Sequence, residues 1–170
     1  MSIDERLRLA PRALTREEAA EIKRHPCYTL SVLERVRGLS QSTLMIAYQS
    51  HERGDKSGYP NGRHKQLIHP YARLVGAVDT YAAISSHRPH RNAKSPYEAM
   101  VLLLRGASRD KFDRDVLKAM LNCLSLFPVG SYVRLSDGRF ARVIRGNPGH
   151  HTKPVVVMMG ADHKESDEEV

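Results

Sequence analysis

Ser50-His51-Glu52-Arg53-Gly54-Asp55-Lys56-Ser57-Gly58-Tyr59-Pro60 is the stretch where a helix stops and an irregular loop begins. Upstream, Ser42 to Ser50 reads as a short helix with Leu44, Ala47 and Tyr48 on its inner side, so it delivers His51 and Glu52 at its end. From Arg53 to Lys65 the density of Gly, Pro, Asp and Asn rules out regular structure and marks a surface loop able to make specific contacts. Downstream, Pro70 suits the first turn of a long helix to about Ser86. Its apolar positions Leu74, Val75, Val78, Tyr81 and Ala82 read as a buried stripe with Asp79 beside it.

Working outward, Thr15-Arg-Glu-Glu18 is a capping box, so a helix opens near Arg16 and Pro26 interrupts it. Leu30, Leu33 and Val36 share one face of the next helix, with Gly38 as its stop. Ser95-Pro-Tyr-Glu98 is a second capping box, and Asp113 caps a helix running to about Leu126. After Phe127-Pro-Val-Gly130 the pattern turns to β-branched alternation broken at Asp137-Gly138 and Asn147-Pro-Gly149, which reads as a three-stranded meander. The expected fold is mainly α: a helical domain over 1–127, a small three-stranded antiparallel β extension over 128–160, and an acidic tail over 161–170. That tail offers no apolar surface to offset ordering entropy and is expected to be disordered.

The 170 residues suffice for one core, and the longest apolar run, Ala99 to Leu104, is too short to span a bilayer. The first residues, Met-Ser-Ile-Asp-Glu-Arg-Leu-Arg, lack a secretory leader, so the sequence predicts a cytoplasmic protein. Cys27 and Cys123 stand alone and read as reduced packing residues. Net charge is +8, but residues 162–170 hold five acids and one lysine, leaving 26 basic and 14 acidic residues, or +12, on the rest. Such a body attracts anions, whether phosphates, nucleic acid or an acidic partner.

His25, His51, Glu52, Asp55 and Asp79 are the residues able to carry chemistry. Imidazoles and a carboxylate from three helices suit one divalent ion. Their spacing alone leaves open the ordinary alternative of hydrogen-bonded or solvent-facing histidines. Asp79, set in an apolar helix, is expected beside the buried face, where a cation or an Arg would compensate it.

In order and spacing, His25-Pro26, His51-Glu-Arg, Asp55-Lys-Ser-Gly-Tyr-Pro60, Val78-Asp-Thr-Tyr-Ala-Ala83 and Arg88-Pro-His-Arg91 resemble the C-terminal two-thirds of the HD-GYP domain. That family comprises bacterial metal-dependent phosphodiesterases that degrade cyclic di-GMP, and the resemblance runs from about Ile3 to Phe127. It implies a partial HD-type helical bundle, with His25, His51 and Asp79 as residual metal ligands for Fe, Mn, Ni or Mg. It also implies that Asp55, Gly58, Tyr59, Pro60, Arg88, Arg91 and Lys94 contact substrate or partner, through phosphate pairing by the basic cluster and recognition by the Gly-Tyr-Pro loop. Cyclic di-GMP and a GGDEF-type signalling protein are the implied partners.

The departures carry as much weight. The family's His-Asp pair lies outside these 170 residues, Ser50 stands for the first of two adjacent histidines, and Lys56 stands where Gly is usual. Three ligands are expected to hold at most one weakly bound ion, or none; the first expectation is therefore a truncated or degenerate, non-hydrolytic binding or interaction module. Absent first helices should leave apolar surface for a homodimer or companion chain. The rival is an active phosphodiesterase whose missing ligands come from upstream sequence or a partner. Nucleic-acid binding ranks last, because no aromatic-plus-basic strand motif is read in the sequence.

Overall fold

The computed structural model describes residues 3–8, 10–87, 92–147, 149–159 and 165–169. Seven α-helical segments precede the sheet: α1 (Glu5–Arg8), α2 (Arg16–Ile22), α3 (His25–Leu33), α4 (Gln41–Gln49), α5 (Pro70–Ser85), α6 (Pro96–Ala107) and α7 (Arg114–Cys123). Their starts are where the caps place them. Thr15 and Ser95 form complete capping boxes, and the Ser40 hydroxyl accepts from the Thr43 amide. Asp113 accepts from the Asp115 amide at the head of α7 and also pairs with Arg73 of α5, tying two helices together. Pro26 lies in the first turn of α3 and Pro70 in that of α5, where a missing N–H costs nothing.

The helical core is built by α5, α6 and α7. Ala77, Met100, Leu103, Ala107, Phe112, Leu117, Met120 and Leu126 are buried together, with Tyr81 and Ile84 packed against them. Each large apolar side chain so buried contributes about 1.5–3 kcal/mol. Phe127 packs against this core and also against a second one formed by Ala141, Val143, Val156 and Met158 of the sheet.

The face presented by α5 differs from the sequence expectation. Ala72, Gly76 and Ala77 are its buried residues, whereas Leu74, Val75, Val78 and Ala82 are exposed and Tyr81 is half-buried. The cause is close helix approach: a Cβ on Gly76 would lie 2.4 Å from the Ser50 carbonyl oxygen and 2.9 Å from Arg53 Nη1. Only small residues fit between α5 and the end of α4, so the larger apolar ones are turned outward. Asp79 follows that outer face, its side chain 55% exposed, so burial does not demand a compensating cation there. Cys27 and Cys123 are free and exposed rather than packed. Among the described residues no helix is long and apolar enough to cross a membrane.

The meander read in the sequence is present as β1 (Tyr132–Arg134), β2 (Phe140–Arg145) and β3 (Val155–Met159), all antiparallel. The sheet then gains a strand, because β4 (Glu165–Glu169) pairs with β3 and gives the order β1-β2-β3-β4. Residues 161–170 were expected to be disordered for lack of apolar surface; of these, 165–169 are described and form β4, and 161–164 and 170 lie outside the described residues. The backbone edge of β3 supplies main-chain hydrogen bonds that need none. In the β1–β2 register Tyr132 lies opposite Arg142 and Arg134 opposite Phe140.

Replacing a helical glycine by alanine ordinarily stabilises by about 1 kcal/mol. Gly76→Ala is expected to reverse that sign and cost about 1–3 kcal/mol in urea denaturation, because its Cβ meets backbone.

Candidate functional site

Three elements converge on one surface. α3 begins at His25, α4 delivers His51 just past its end, and the loop after it returns Tyr59 to the same place. The His25 and His51 rings meet edge to face at 4.6 Å, Tyr59 stacks on His51 at 4.9 Å with the planes 11° apart, and Tyr59 meets His25 at 5.9 Å. Asp79 Oδ2 of α5 lies 4.0 Å from His51 Nδ1. His25 Nδ1 is 2.9 Å from the Ile22 carbonyl, which can only accept, so that nitrogen is the donor. Tyr59 is therefore not a free stacking surface on both sides, since His51 covers one face of its ring.

The loop is held by a residue whose part is not metal binding. Glu52 is 3% exposed, and its two carboxylate oxygens accept from the Asn61 and Arg63 amides at 2.8 Å each. An irregular loop must find acceptors for its backbone donors, and a carboxylate at its entrance is the natural supplier. That signal was available in the sequence. Gly58 fits because a Cβ there would lie 2.3 Å from the Arg53 amide nitrogen, and the Tyr59–Pro60 peptide is cis. Lys56, in the position where the family resemblance leads one to expect Gly, has φ +67°, a left-handed conformation that strains any side chain-bearing residue.

Two further residues, missed in the sequence reading, position His51. Arg53 donates to the Ser50 and Glu52 carbonyls at 3.1 and 2.7 Å and to Thr80 Oγ1 at 3.0 Å, and its guanidinium lies over the Phe112 ring at 5.2 Å. It thus clamps the carbonyl end of α4 to α5, where positive charge is favoured. Gln49, also buried, accepts from the His69 amide at 2.7 Å and joins α4 to the start of α5. Neither has a periodic signature, because each is defined by its partner across the fold.

Asp55 is turned away from the cluster: its Oδ1 accepts from the Ser57 amide and hydroxyl at 3.0 and 2.6 Å. Lys94 is exposed at the far end of α5, its amide donating to the Ile84 carbonyl at 3.1 Å. Arg88 and Arg91 lie outside the described residues. Ser50 turns its hydroxyl back onto the Ala47 carbonyl at 3.1 Å.

A divalent ion is the cofactor implied for this site, and the donor set does not fit the paired-ion centre. His25, His51 and Asp79 supply two nitrogens and one half-exposed carboxylate, and among the described residues no second carboxylate stands with them to bridge two ions. Among the described residues no three His, Cys, Asp or Glu side chains are grouped to hold a metal ion.

With this geometry in hand, comparison with known proteins is informative. A family model described as an HD domain matches residues 5–116. The chain belongs to the HD domain family. This HD domain chain is 31% identical over 144 residues to a cyclic di-GMP phosphodiesterase of Pseudomonas aeruginosa, covering 85% of the chain and 34% of that protein. It is 29% identical over 132 residues to the cyclic di-GMP phosphodiesterase PdeB of Borreliella burgdorferi, covering 78% of the chain and 34% of that protein. A 3'3'-cGAMP-specific phosphodiesterase of Vibrio cholerae is 30% identical over 111 residues, covering 65% and 26%. The chain thus spans about a third of the length of the first two of these curated relatives. The HD-GYP resemblance read from the sequence is borne out at the level of family and mainly helical fold.

Two predictions follow from the site of this HD domain chain. Glu52→Ala removes the acceptor of two part-buried amides and is expected to cost about 1–3 kcal/mol, with hydrogen exchange at Asn61 and Arg63 accelerated selectively. Burial, then the neighbouring His25, pushes the His51 pKa below its ordinary 6.5, with Asp79 opposing. The unfolded chain therefore binds more protons, and the His51 contribution is complete above 6.5 and lost as pH falls through and below it. Denaturation at pH 7.5 and 5.5 should show lower stability at the acid value, and His51→Gln should shrink that difference.

Proposed function

We propose that these 170 residues form a cyclic dinucleotide-binding or protein-interaction module of bacterial cyclic di-GMP signalling that does not by itself hydrolyse the nucleotide. The observation that carries this reading is the donor set: His25, His51 and Asp79 converge, but Ser50 is turned back onto its own helix and, among the described residues, no second carboxylate joins them. A bridged ion pair would supply a low-pKa oxygen nucleophile at neutral pH, and this donor set does not build one. The relatives named as cyclic di-GMP and 3'3'-cGAMP phosphodiesterases support cyclic dinucleotides as the ligand class.

In this reading the imidazoles, the open side of Tyr59 and nearby Lys23, whose Nζ is 6.0 Å from the Tyr59 centroid, form the floor that meets a base and its phosphate. Gly58, Pro60 and Asp55 shape the loop that a GGDEF-type protein would meet, and Arg88, Arg91 and Lys94 are the sequence's further candidates for phosphate contact.

A second reading has one observation in its favour. Tyr71, Leu74, Val75 and Val78 form an exposed apolar face on α5 that ends beside Asp79, so a companion segment or second copy covering that face would arrive at the cluster and add ligands there. Fe, Mn, Ni or Mg would then be held jointly, and the assembly would be a phosphodiesterase.

Calorimetric titration with cyclic di-GMP, paired with metal analysis and a turnover assay in Mn(II) and Fe(II), separates the two. Saturable binding without linear dinucleotide or GMP is expected. Stoichiometric metal with turnover by the isolated chain overturns the non-hydrolytic reading, and absence of binding heat overturns nucleotide recognition.

A further inference from the structure

Past the end of α6 the chain turns back and docks on the loop that follows α4. The Lys111 amide donates to the Gly106 carbonyl at 3.0 Å, and the Gly54 amide donates to the Lys111 carbonyl at 3.3 Å. Asp110 takes φ +57° in that turn, and a Cβ on Gly54 would lie 2.3 Å from the Asp110 carbonyl oxygen, so the two segments meet backbone to backbone. Between them, α5 and α6 lies a cavity of about 610 Å³. Small-molecule sites run from about 300 to 1,000 Å³. The cavity is distinct from the histidine cluster. Thr80 on its wall follows Asp79 in α5 and so stands about 100° round that helix from it; Asp79 faces His51, whereas Thr80 accepts from Arg53.

Its lining has three chemical parts. Ile84, Leu102, Leu103 and Phe112 give an apolar wall, and Gly106 lets the Phe112 ring close against α6, since a Cβ there would lie 2.7 Å from that ring. Arg105, Arg109 and Lys111, all exposed, bring three cations from one short turn. Among the described residues the Arg105 and Arg109 side chains have no hydrogen bond or ion pair to occupy them. The one acid on the wall is Asp55. Burial pushes its carboxyl up, but the Ser57 hydrogen bonds and then the Lys111 charge outweigh that and hold it below the ordinary range, so at neutral pH it only accepts.

We propose that this cavity is a binding site for a nucleoside monophosphate, with the phosphate held by Arg105, Arg109 and Lys111, the base laid against Ile84, Leu102 and Phe112, and a sugar hydroxyl donating to Asp55. Guanidinium groups take phosphate oxygens two at a time, and a dianion answers several cations better than a carboxylate does. Inorganic phosphate would satisfy the rim but leave the apolar wall wet and Asp55 without a donor. An acyl chain would fill the wall and offer Asp55 nothing. An acidic peptide spreads its charge along an extended backbone, whereas these cations converge from the single turn 105–111. The wall is built in advance by backbone contacts, which lowers the cost of ordering a site around a small ligand. The proposal does not rest on the reading given for the histidine cluster.

Calorimetric titration of the full chain with AMP and with GMP tests it, alongside ribose 5-phosphate, the two nucleosides and inorganic phosphate. At least one nucleotide is expected to bind at least about tenfold more tightly than any of the partial ligands. Amide shifts of the isotope-labelled chain should gather at Thr80, Ile84, Gly106 and Lys111. Arg105→Gln/Arg109→Gln, which removes two exposed side chains that hold nothing else, should weaken binding at least about tenfold, and Leu102→Asp should weaken it through the apolar wall. Circular dichroism and melting temperature matching the parent establish that each variant is folded. Binding by neither nucleotide, inorganic phosphate binding as tightly as both, unchanged affinity in the double variant, or shifts gathered at His51 and Tyr59 instead would overturn the proposal.

Discussion

The approach of α5 to the end of α4 is the constraint on which the rest of the molecule depends. Gly76 brings the α5 backbone against the Ser50 carbonyl, and Arg53 fills the adjoining space by donating to the Ser50 and Glu52 carbonyls and to Thr80. These contacts fix where α4 stops. They therefore fix where His51 emerges and which side of α5 carries Asp79. A helix crossing set by backbone contact leaves little room for adjustment, since the atoms involved cannot change rotamer.

From that junction the loop inherits its shape. Glu52 leaves α4 directly into the interior, and its two oxygens organise the segment that returns Tyr59 to the histidines. The convergence of His25, His51, Tyr59 and Asp79 is thus produced by main-chain hydrogen bonding and by one buried carboxylate. The cluster's chemistry follows from what it lacks as much as from what it holds: nitrogens and an aromatic ring suit recognition of a flat, anionic ligand, while a shortage of carboxylates disfavours a bridged pair of ions.

Local signals were legible in the sequence wherever a few adjacent residues decide the outcome. Thr15, Ser95, Asp113, Pro26 and Pro70 set helix starts because capping is a one-turn affair. The three β segments and the convergence of His25 with His51 were likewise readable from pattern and family resemblance. The outward turn of Leu74, Val75 and Val78 was not, because periodicity says which residues share a face and not which face is inside. Gln49 and Arg53 were hidden for a related reason: their partners lie across the fold, whereas Glu52 meets its partners within the loop that it opens. β4 escaped notice because a strand held by edge pairing needs no alternation of its own.

Phe127 deserves a mechanical reading. One ring is shared by the interior of the helices and the interior of the sheet, with Tyr97 stacked on it at 5.4 Å. A wall common to two rooms cannot shift in one alone, so strain placed on the strands reaches the helical interior through this ring.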